Sequence, residues 1–375
     1  MAKATPQATE AAFASTELGA GADTALSALE RAGDRAEALV EAWVKAGNAA
    51  AVNAAAENAP GKARKAARRG LNVLKARGVK VPEAAPRVVS VAGEKGAETL
   101  EAWLLAPDGN GATLVTITSR TPTSRNKTLF VLVAAGGVVR VSSGEQSQSE
   151  LKETFTRAVR GAYRPVKIPL EYARARIDAA RRATKAQGLA EPLGFAGVEA
   201  LLGTPPSEPV EHPLDSEGLE LGDEDAKDLT ARSASLHALP EFGSWLPPKP
   251  AVDEMLALVG AALTPGEQPD QAQFDAQLKE QLLAATDRFF TPERRAELVT
   301  VMKDSALSVL AREGEEKALA VVGAMKGIEK AGLITDPPRE VPFLLGFFEK
   351  AIAVLLAQGN GQLRVPIPRQ PAAAP

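Results

Sequence analysis

The sequence predicts an α+β fold, in which an N-terminal helical repeat and an antiparallel β-meander covered by helices precede an all-α helical bundle. Apolar residues recur at helical spacing before residue 85, over 147–202 and after residue 235, whereas over 86–144 they alternate with polar residues. An acidic, proline-rich stretch separates the two parts. With 375 residues the chain is long enough for two or three domains.

These patterns divide the chain into successive parts. The predicted parts are a disordered tail over 1–22, an α+β module over 23–202 (helical over 23–85, an antiparallel sheet over 86–144, helices over 147–202), an acidic Pro-rich linker over 203–234, a helical bundle over 235–362 and a flexible tail over 363–375. The tails and the linker are assigned to stretches too poor in bulky apolar residues to pack a core.

The N-terminal helices end in a strongly amphipathic element over residues 62–77. Small residues, among them Ala63, Ala67 and Gly70, converge on one side, which predicts close packing against a neighbouring helix. With the preceding helix that carries Trp43, this element resembles a single HEAT-type helical repeat over residues 38–81. Since no period of about 40 residues recurs elsewhere, we interpret it as one isolated repeat.

The next region predicts a meander of four or five antiparallel strands, because β-branched runs are separated by short turns. The candidate strands are Arg87–Ala92, Thr99–Ala106, Ala112–Arg120, Thr128–Ala135 and Val138–Ser143. We expect helices over Ser149–Arg160 and Leu170–Gln187 to cover the apolar face of the sheet. Ser147 with Glu150 predicts a capping box at the first of them.

Helical segments with clear start and stop signals predict the C-terminal bundle. They are Asp270–Phe290, Pro292–Arg312 with Thr291 as its cap, Glu315–Ala331 and Val341–Gln358. The last is apolar almost all round, which places it centrally in the bundle or against a partner. It is short for a membrane span and is interrupted by Glu349 and Lys350, so we expect no membrane association. No secretory signal is recognisable at the N-terminus, and we expect a cytoplasmic protein.

The composition and the absence of known motifs exclude most kinds of metal-binding and catalytic site. The chain has no cysteine and two histidines, which excludes disulfides, thiolate metal sites and cysteine nucleophiles. His212 and His237 lack the spacing of metal ligands, and Asp215–Gly218 fails the calcium-loop pattern. The SxxK matches at Ser124 and Ser149 have no companion motifs. We therefore assign no catalytic residue, no cofactor and no metal site.

The net charge of −3 conceals two opposite halves. Residues 1–190 carry 28 Lys and Arg against 18 Asp and Glu, whereas residues 191–375 carry 16 against 29. A basic region, Asn58–Arg87, and a second one, Lys152–Lys185, contrast with the acidic stretch Pro205–Thr230. Such asymmetry indicates a polyanionic partner, and it is equally compatible with the acidic stretch folding back on the basic half.

Two surfaces are the candidate partner sites. The basic face of the element over 62–77 consists of Lys62, Arg64, Lys65, Arg68, Arg69 and Lys75. The apolar grooves are expected around Phe343, Leu344, Phe347 and Phe348. Cations of the second basic region would extend the basic face if the helices that carry them sat together. A cationic face also keeps an Ala-rich helix in water, and that interpretation stays open.

We therefore expect a non-catalytic cytoplasmic interaction or scaffold protein that binds a protein partner through these surfaces. One alternative is a nucleic-acid-associated protein that uses the same cations on phosphates. Another is a hydrolase or transferase with an unrecognised site. The sequence leaves the partner's identity and the oligomeric state open.

Overall fold

The computed structural model describes residues 13–59, 61–80, 99–120, 125–134, 137–159, 162–195, 197–219, 221–263, 270–332 and 336–366. These residues fall into two compact units. The first takes those within Met1–Ala92 and Asp215–Glu220, and the second those within Gly93–Leu214 and Leu221–Pro375. Helices and an antiparallel sheet together confirm the α+β class.

The first unit is helical. Its helices are α1 (Ser15–Leu18), α2 (Ala25–Ala32), α3 (Ala36–Ala46), α4 (Ala49–Asn58) and α5 (Gly61–Ala76), with a 3₁₀ turn at Gly33–Arg35. The place of Gly47 after the last apolar position of its helix predicts a glycine C-cap, and Gly47 adopts a left-handed φ of 74° and ends α3. Asn48 then caps α4, since its side chain accepts a hydrogen bond from the N–H of Ala51.

Helix α5 packs closely on its neighbours through small residues, as predicted. A Cβ at Gly70 would lie 2.3 Å from a methyl carbon of Val44 and 3.3 Å from one of Val52. Glycine is therefore required for this approach. The buried side of α5 consists mainly of Ala63, Ala67 and Leu74, so its cations are left to the outer side.

The described part of the predicted N-terminal tail is packed, which corrects the expectation of disorder over 1–22. The Trp43 indole N–H donates to the carbonyl of Glu17 at 2.7 Å, and the Asn48 side chain donates to the carbonyl of Ala20 at 2.9 Å. Long-range hydrogen bonds to main-chain groups leave no signature in local composition. Residues 1–12 lie outside the described residues.

The second unit contains the sheet. Its strands are β1 (Thr99–Leu105), β2 (Thr113–Arg120), β3 (Asn126–Ala134), β4 (Gly137–Gln146) and β5 (Val166–Ile168). They lie in the order β4-β3-β2-β1-β5, and all neighbours are antiparallel. The meander is confirmed. Its candidate strand Arg87–Ala92 lies outside the described residues, and β5 was not predicted because three residues are too short to show an alternation.

Helices cover both faces of the sheet. Helix α6 (Gln148–Ala158) presents Phe155 to Trp103 and Phe130, with each pair of ring centroids 6.3 Å apart. Helix α7 (Leu170–Ala186) packs along β1 to β4. The predicted capping box opens α6, because Ser147 and Glu150 exchange side-chain to main-chain hydrogen bonds.

The remaining helices complete the second unit. They are α8 (Glu199–Leu202), α9 (Pro213–Ser216, which continues into the first unit), α10 (Asp223–Ala231), α11 (Lys249–Ala262), α12 (Gln271–Phe289), α13 (Pro292–Glu313), α14 (Glu315–Lys330) and α15 (Pro342–Gln358), with 3₁₀ turns at Ser233–Ala238, Pro240–Phe242 and Pro338–Glu340. Thr291 caps α13 and Pro292 opens it, as predicted. Among the described helices, none is both long and apolar enough to cross a membrane.

The segment 203–234, expected to be a linker without a core, is packed in the structure. Leu214 is buried, and Leu229 of α10 lies against α14. A Cβ at Gly323 of α14 would lie 2.5 Å from the Cβ of Leu229, so glycine makes room for α10. The residue that permits this packing, Gly323, belongs to α14, so the composition of the acidic segment alone could not predict it.

The division into units also differs from the expected one, which joined the sheet to the N-terminal helices. The sheet instead shares a unit with the helical bundle. The buried indole of Trp245 donates to the carbonyl of Pro107 at 3.1 Å, and the N–H of Gly109 donates to Ser244 at 3.2 Å. These contacts hold the turn after β1 against the start of the bundle.

Candidate binding surface on helix α5

The six predicted cations all lie on α5, but they differ in burial. Lys62, Arg69 and Lys75 are exposed, whereas the remaining three are half-buried, namely Arg64, Lys65 and Arg68. The half-buried cations belong to one stretch of the helix. There an acidic segment of the same unit, residues 215–219, lies against α5.

Glu217 makes the main contacts of this acidic segment. Its carboxylate oxygen Oε2 lies 2.7 Å from Nη2 of Arg68 and 3.5 Å from Nη2 of Arg64. The other terminal nitrogen of Arg68, Nη1, donates to the main-chain carbonyl of Glu217. Arg68 thus holds both the side chain and the backbone of one residue. Because Arg64 and Arg68 are four positions apart on the helix, both reach the same carboxylate.

Gly218 brings the backbone of the acidic segment close to the helix. Its φ is +67°, a conformation that glycine adopts without strain. A Cβ at this position would lie 3.3 Å from Cα of Lys65. The backbone at residue 218 therefore approaches the helix more closely than another residue would allow.

Partial burial strengthens the contact between the arginines and Glu217. The side chains of Arg68 and Glu217 are 15% and 19% exposed. Coulombic attraction is larger at such a site than at a fully exposed pair, and salt screens it less. The arrangement can bind a carboxylate together with an adjacent peptide carbonyl.

Sequence reasoning identified the six cations and a possible fold-back of the acidic stretch, but it did not identify Glu217. The signal was the pair Glu217-Gly218, in which a carboxylate precedes a residue that tolerates a left-handed backbone. That signal is weak by itself, since acids and glycines are common in polar segments.

The four apolar candidates form the interior of the second unit, which corrects the expectation of an apolar groove open to a partner. Phe343, Leu344, Phe347 and Phe348 are at most 4% exposed. Phe343 stacks on His237 with ring centroids 4.6 Å apart and packs edge-on against the neighbouring aromatic rings. The all-round apolarity of α15 therefore reflects its central place in the bundle.

His237 is buried in this aromatic cluster as a neutral ring. Its Nε2 lies 2.8 Å from the carbonyl oxygen of Phe343 and donates to it. Burial lowers the pKa of His237 to about 4, and the charge of Lys350 adds to that effect. The same burial lowers the pKa of Lys350.

A buried carboxylate that sequence reasoning missed is Asp304 on α13. Its two oxygens lie 2.9 Å from Nη2 of Arg176 and 2.9 Å from Nε2 of His212. The N–H of Leu214 donates to Nδ1 of His212, which leaves Nε2 to donate to Asp304. Asp304 thereby ties α13 to Arg176 of α7 and to His212.

Glu241 is a second buried carboxylate held by its own arginine. Arg312 donates to both carboxylate oxygens, at 3.0 and 2.7 Å, and Ser308 donates at 3.1 Å. Nearby, burial raises the pKa of Tyr163 to about 12, and the charge of Glu241 contributes. Sequence analysis could not predict either carboxylate as buried, because their partners are distant along the chain.

In the second unit, five cations of the second basic region each lie against a carboxylate. Its pairs are Arg157 with Glu153, Lys167 with Glu101, Arg176 with Asp304, Arg181 with Glu191 and Arg182 with Asp178. The hydrogen bond from Arg181 holds the pKa of Glu191 below its ordinary value. Arg160 lies outside the described residues.

A groove of about 650 Å³ lies between α10 and α14. The Lys330 ammonium is 3.1 Å from Asp223 and lowers the pKa of that carboxyl. Lys326 donates to the carbonyl of Leu221 at 2.7 Å. Two of the three lysines that line the groove, Lys326 and Lys330, are thus engaged by the protein itself.

No protein-family model, curated protein or solved structure matches this chain. Within the residues that the structure describes, no group of three or more His, Asp or Glu side chains could hold a metal ion. The functional argument therefore rests on the geometry of α5.

Proposed function

We propose that this chain is a non-catalytic cytoplasmic interaction protein whose helix α5 binds an acidic segment of a protein partner. The binding residues are the basic face defined above, with Arg64 and Arg68 at its centre. The resemblance of residues 38–81 to a HEAT-type repeat stays a prediction, and the proposal does not depend on it.

One observation carries the proposal. Arg68 contacts the carboxylate of Glu217 through one terminal nitrogen and the main-chain carbonyl of the same residue through the other. A carboxylate with a main-chain carbonyl beside it is a feature of peptides, whereas the backbone of a nucleic acid presents phosphate and sugar oxygens. The geometry therefore favours an acidic peptide over a nucleic acid.

The exposed cations fit the same role. Lys62, Arg69 and Lys75 lie on the solvent side of α5 and extend the positive surface beyond the arginine pair. Such a surface speeds encounter with an acidic partner and makes binding sensitive to salt.

Fluorescence anisotropy with the full chain tests the proposal. The probes are a short labelled peptide of alternating Glu and Gly and, in parallel, labelled single-stranded oligothymidine, each at about 50 mM salt. We expect the peptide to bind and the double variant Arg64→Gln/Arg68→Gln to bind it at least tenfold more weakly. The charge-matched control is Arg157→Gln/Arg182→Gln, which removes two exposed arginines of the second unit.

A site for acidic peptides and a site for nucleic acid give different outcomes in this experiment. Peptide binding that is lost in the α5 variant and kept in the control supports the proposal. Oligothymidine binding without peptide binding overturns it in favour of the nucleic-acid alternative. Equal losses in both double variants would mean that only total charge matters, and would also overturn it.

A further inference from the structure

The acidic segment 215–219 has the properties of a removable ligand. All five of its residues are half-buried, and the buried core of the first unit is built from the N-terminal helices. Its contacts with α5 include those of Glu217 with two arginines and the approach of Gly218 to the helix. Segments with few buried apolar contacts open at a small free-energy cost.

We propose that residues 215–219 compete with the acidic segment of the partner for Arg64 and Arg68, so that partner binding requires their release. This inference rests on the proposed function of α5 and adds its regulation. The carboxylate of Glu217 occupies the position that a partner carboxylate would take, and both cannot lie within hydrogen-bond distance of Arg68 in the same geometry.

The same contact defines the partner motif. A carboxylate must be followed by a residue that tolerates a φ near +67° and carries no Cβ, since a Cβ would press on the backbone of Lys65. An acidic residue followed by glycine meets both conditions. The chain's own Glu217-Gly218 is one copy of this motif.

Tethering makes the intrachain ligand effective. A segment held in the same chain acts at an effective concentration of about millimolar, so a partner peptide at lower concentration competes poorly. Removal of the Glu217 charge weakens the intrachain contact and leaves both arginines in place. The apparent affinity for a partner peptide should therefore rise.

The first experiment compares full-length variants against the labelled Glu-Gly peptide. We expect Glu217→Gln to bind about tenfold more tightly than the wild type, equivalent to ~1.4 kcal/mol. Glu208→Gln is the matched control, because Glu208 is an exposed acid outside residues 215–219. It should bind as the wild type does.

The second experiment releases the segment through its backbone. Gly218→Ala places a Cβ 3.3 Å from Cα of Lys65 on a residue with a φ of +67°, so it strains the docked segment and leaves both arginines in place. We expect Gly218→Ala to bind the peptide about threefold more tightly than the wild type. Gly222→Ala is the matched control, because the φ of Gly222 is −62° and its Cβ would make an ordinary 3.5 Å contact with Asp225.

The outcomes separate this inference from the proposed function. Equal peptide affinity of the wild type and Glu217→Gln, with loss in Arg64→Gln/Arg68→Gln, overturns the competition and leaves the proposed function intact. Equal peptide affinity of the wild type and Gly218→Ala also overturns the competition. Absence of peptide binding in every variant, including Glu217→Gln and Gly218→Ala, overturns the proposed function and this inference with it.

Discussion

The two basic regions of the chain use their arginines in different ways. In the second unit, four arginines of α6 and α7 contact four different carboxylates, as in the pairs Arg157–Glu153 and Arg176–Asp304. On α5, Arg64 and Arg68 converge on one carboxylate that belongs to a short, half-buried segment. The counts of cations in the two regions are similar, but the arrangements differ.

This difference teaches that local charge density does not identify a binding surface. Dispersed pairs neutralise each cation within the fold and leave no shared site. Convergent cations create one site that any suitable carboxylate could occupy. We expect the dispersed pairs to support stability and the convergent cations of α5 to support binding.

The largest expected effect is on stability, at the dispersed pair Arg176–Asp304. Arg176→Met should lower the free energy of unfolding by about 3 kcal/mol, because it removes a partner of a fully buried carboxylate. Urea denaturation measures this loss. Peptide binding by the folded variant should be unchanged, since Arg176 is not part of α5.

The double variant Arg176→Met/Asp304→Asn is the control for this pair. Removing both charges should recover part of the lost stability, since no buried charge is left without its partner and the amide oxygen of Asn still accepts from His212. A double variant less stable than Arg176→Met alone would contradict this account of the pair.

The pH dependence of stability tests another interior group, His237. Its pKa is about 4 in the fold against 6.5 in an unfolded chain. Between these values the unfolded state holds the extra proton, so the stabilisation is complete above pH 6.5 and is lost as the pH falls towards 4. The expected loss at pH 5 is about 2 kcal/mol.

His237→Phe isolates this contribution, because phenylalanine can stack on Phe343 and does not titrate. The slope of unfolding free energy against pH between 4 and 6.5 should be smaller in this variant than in the wild type. Identical slopes would show that His237 does not carry the pH dependence.

These cases show what the sequence could predict. Local signals were sufficient for Ser147 with Glu150, for Thr291 and for Gly47, since caps and turns depend on neighbouring residues. The strands β1 to β4 followed from alternation and short turns. The cover over Phe343 did not follow, because apolar residues on a helix predict burial without saying which elements cover them.

The missed features depend on residues far apart in the chain. Asp304 sits among polar and apolar residues of α13, and its partners Arg176 and His212 come from other elements. Glu217 meets Arg68 only after the chain returns to the first unit. The basic face was predicted because its period is local, whereas its carboxylate partner had no local signature.

A smaller effect is expected for Arg68 on α5. Arg68→Gln should cost about 1 kcal/mol of unfolding free energy, because the released Glu217 can be solvated, and should weaken peptide binding about tenfold. Denaturation and anisotropy on the same preparation measure both quantities. A loss of stability as large as that of Arg176→Met would mean that α5 uses its arginines structurally.

The smallest effect is expected at the exposed pair Arg157–Glu153. Both side chains are at least 70% exposed, and Arg157→Gln should change the unfolding free energy by less than about 0.5 kcal/mol. Peptide affinity should stay at the wild-type value. A change in that affinity would show that cations of the second unit contribute to the binding surface.

The most direct test is amide hydrogen exchange of residues 215–219 in the wild-type chain, with and without saturating Glu-Gly peptide. If the peptide takes the place of Glu217 at Arg68, exchange in this segment should become faster on binding, while the amides of α5 keep their protection. Bound peptide with unchanged exchange over residues 215–219 would contradict the account, because it would mean that the peptide binds without releasing the segment.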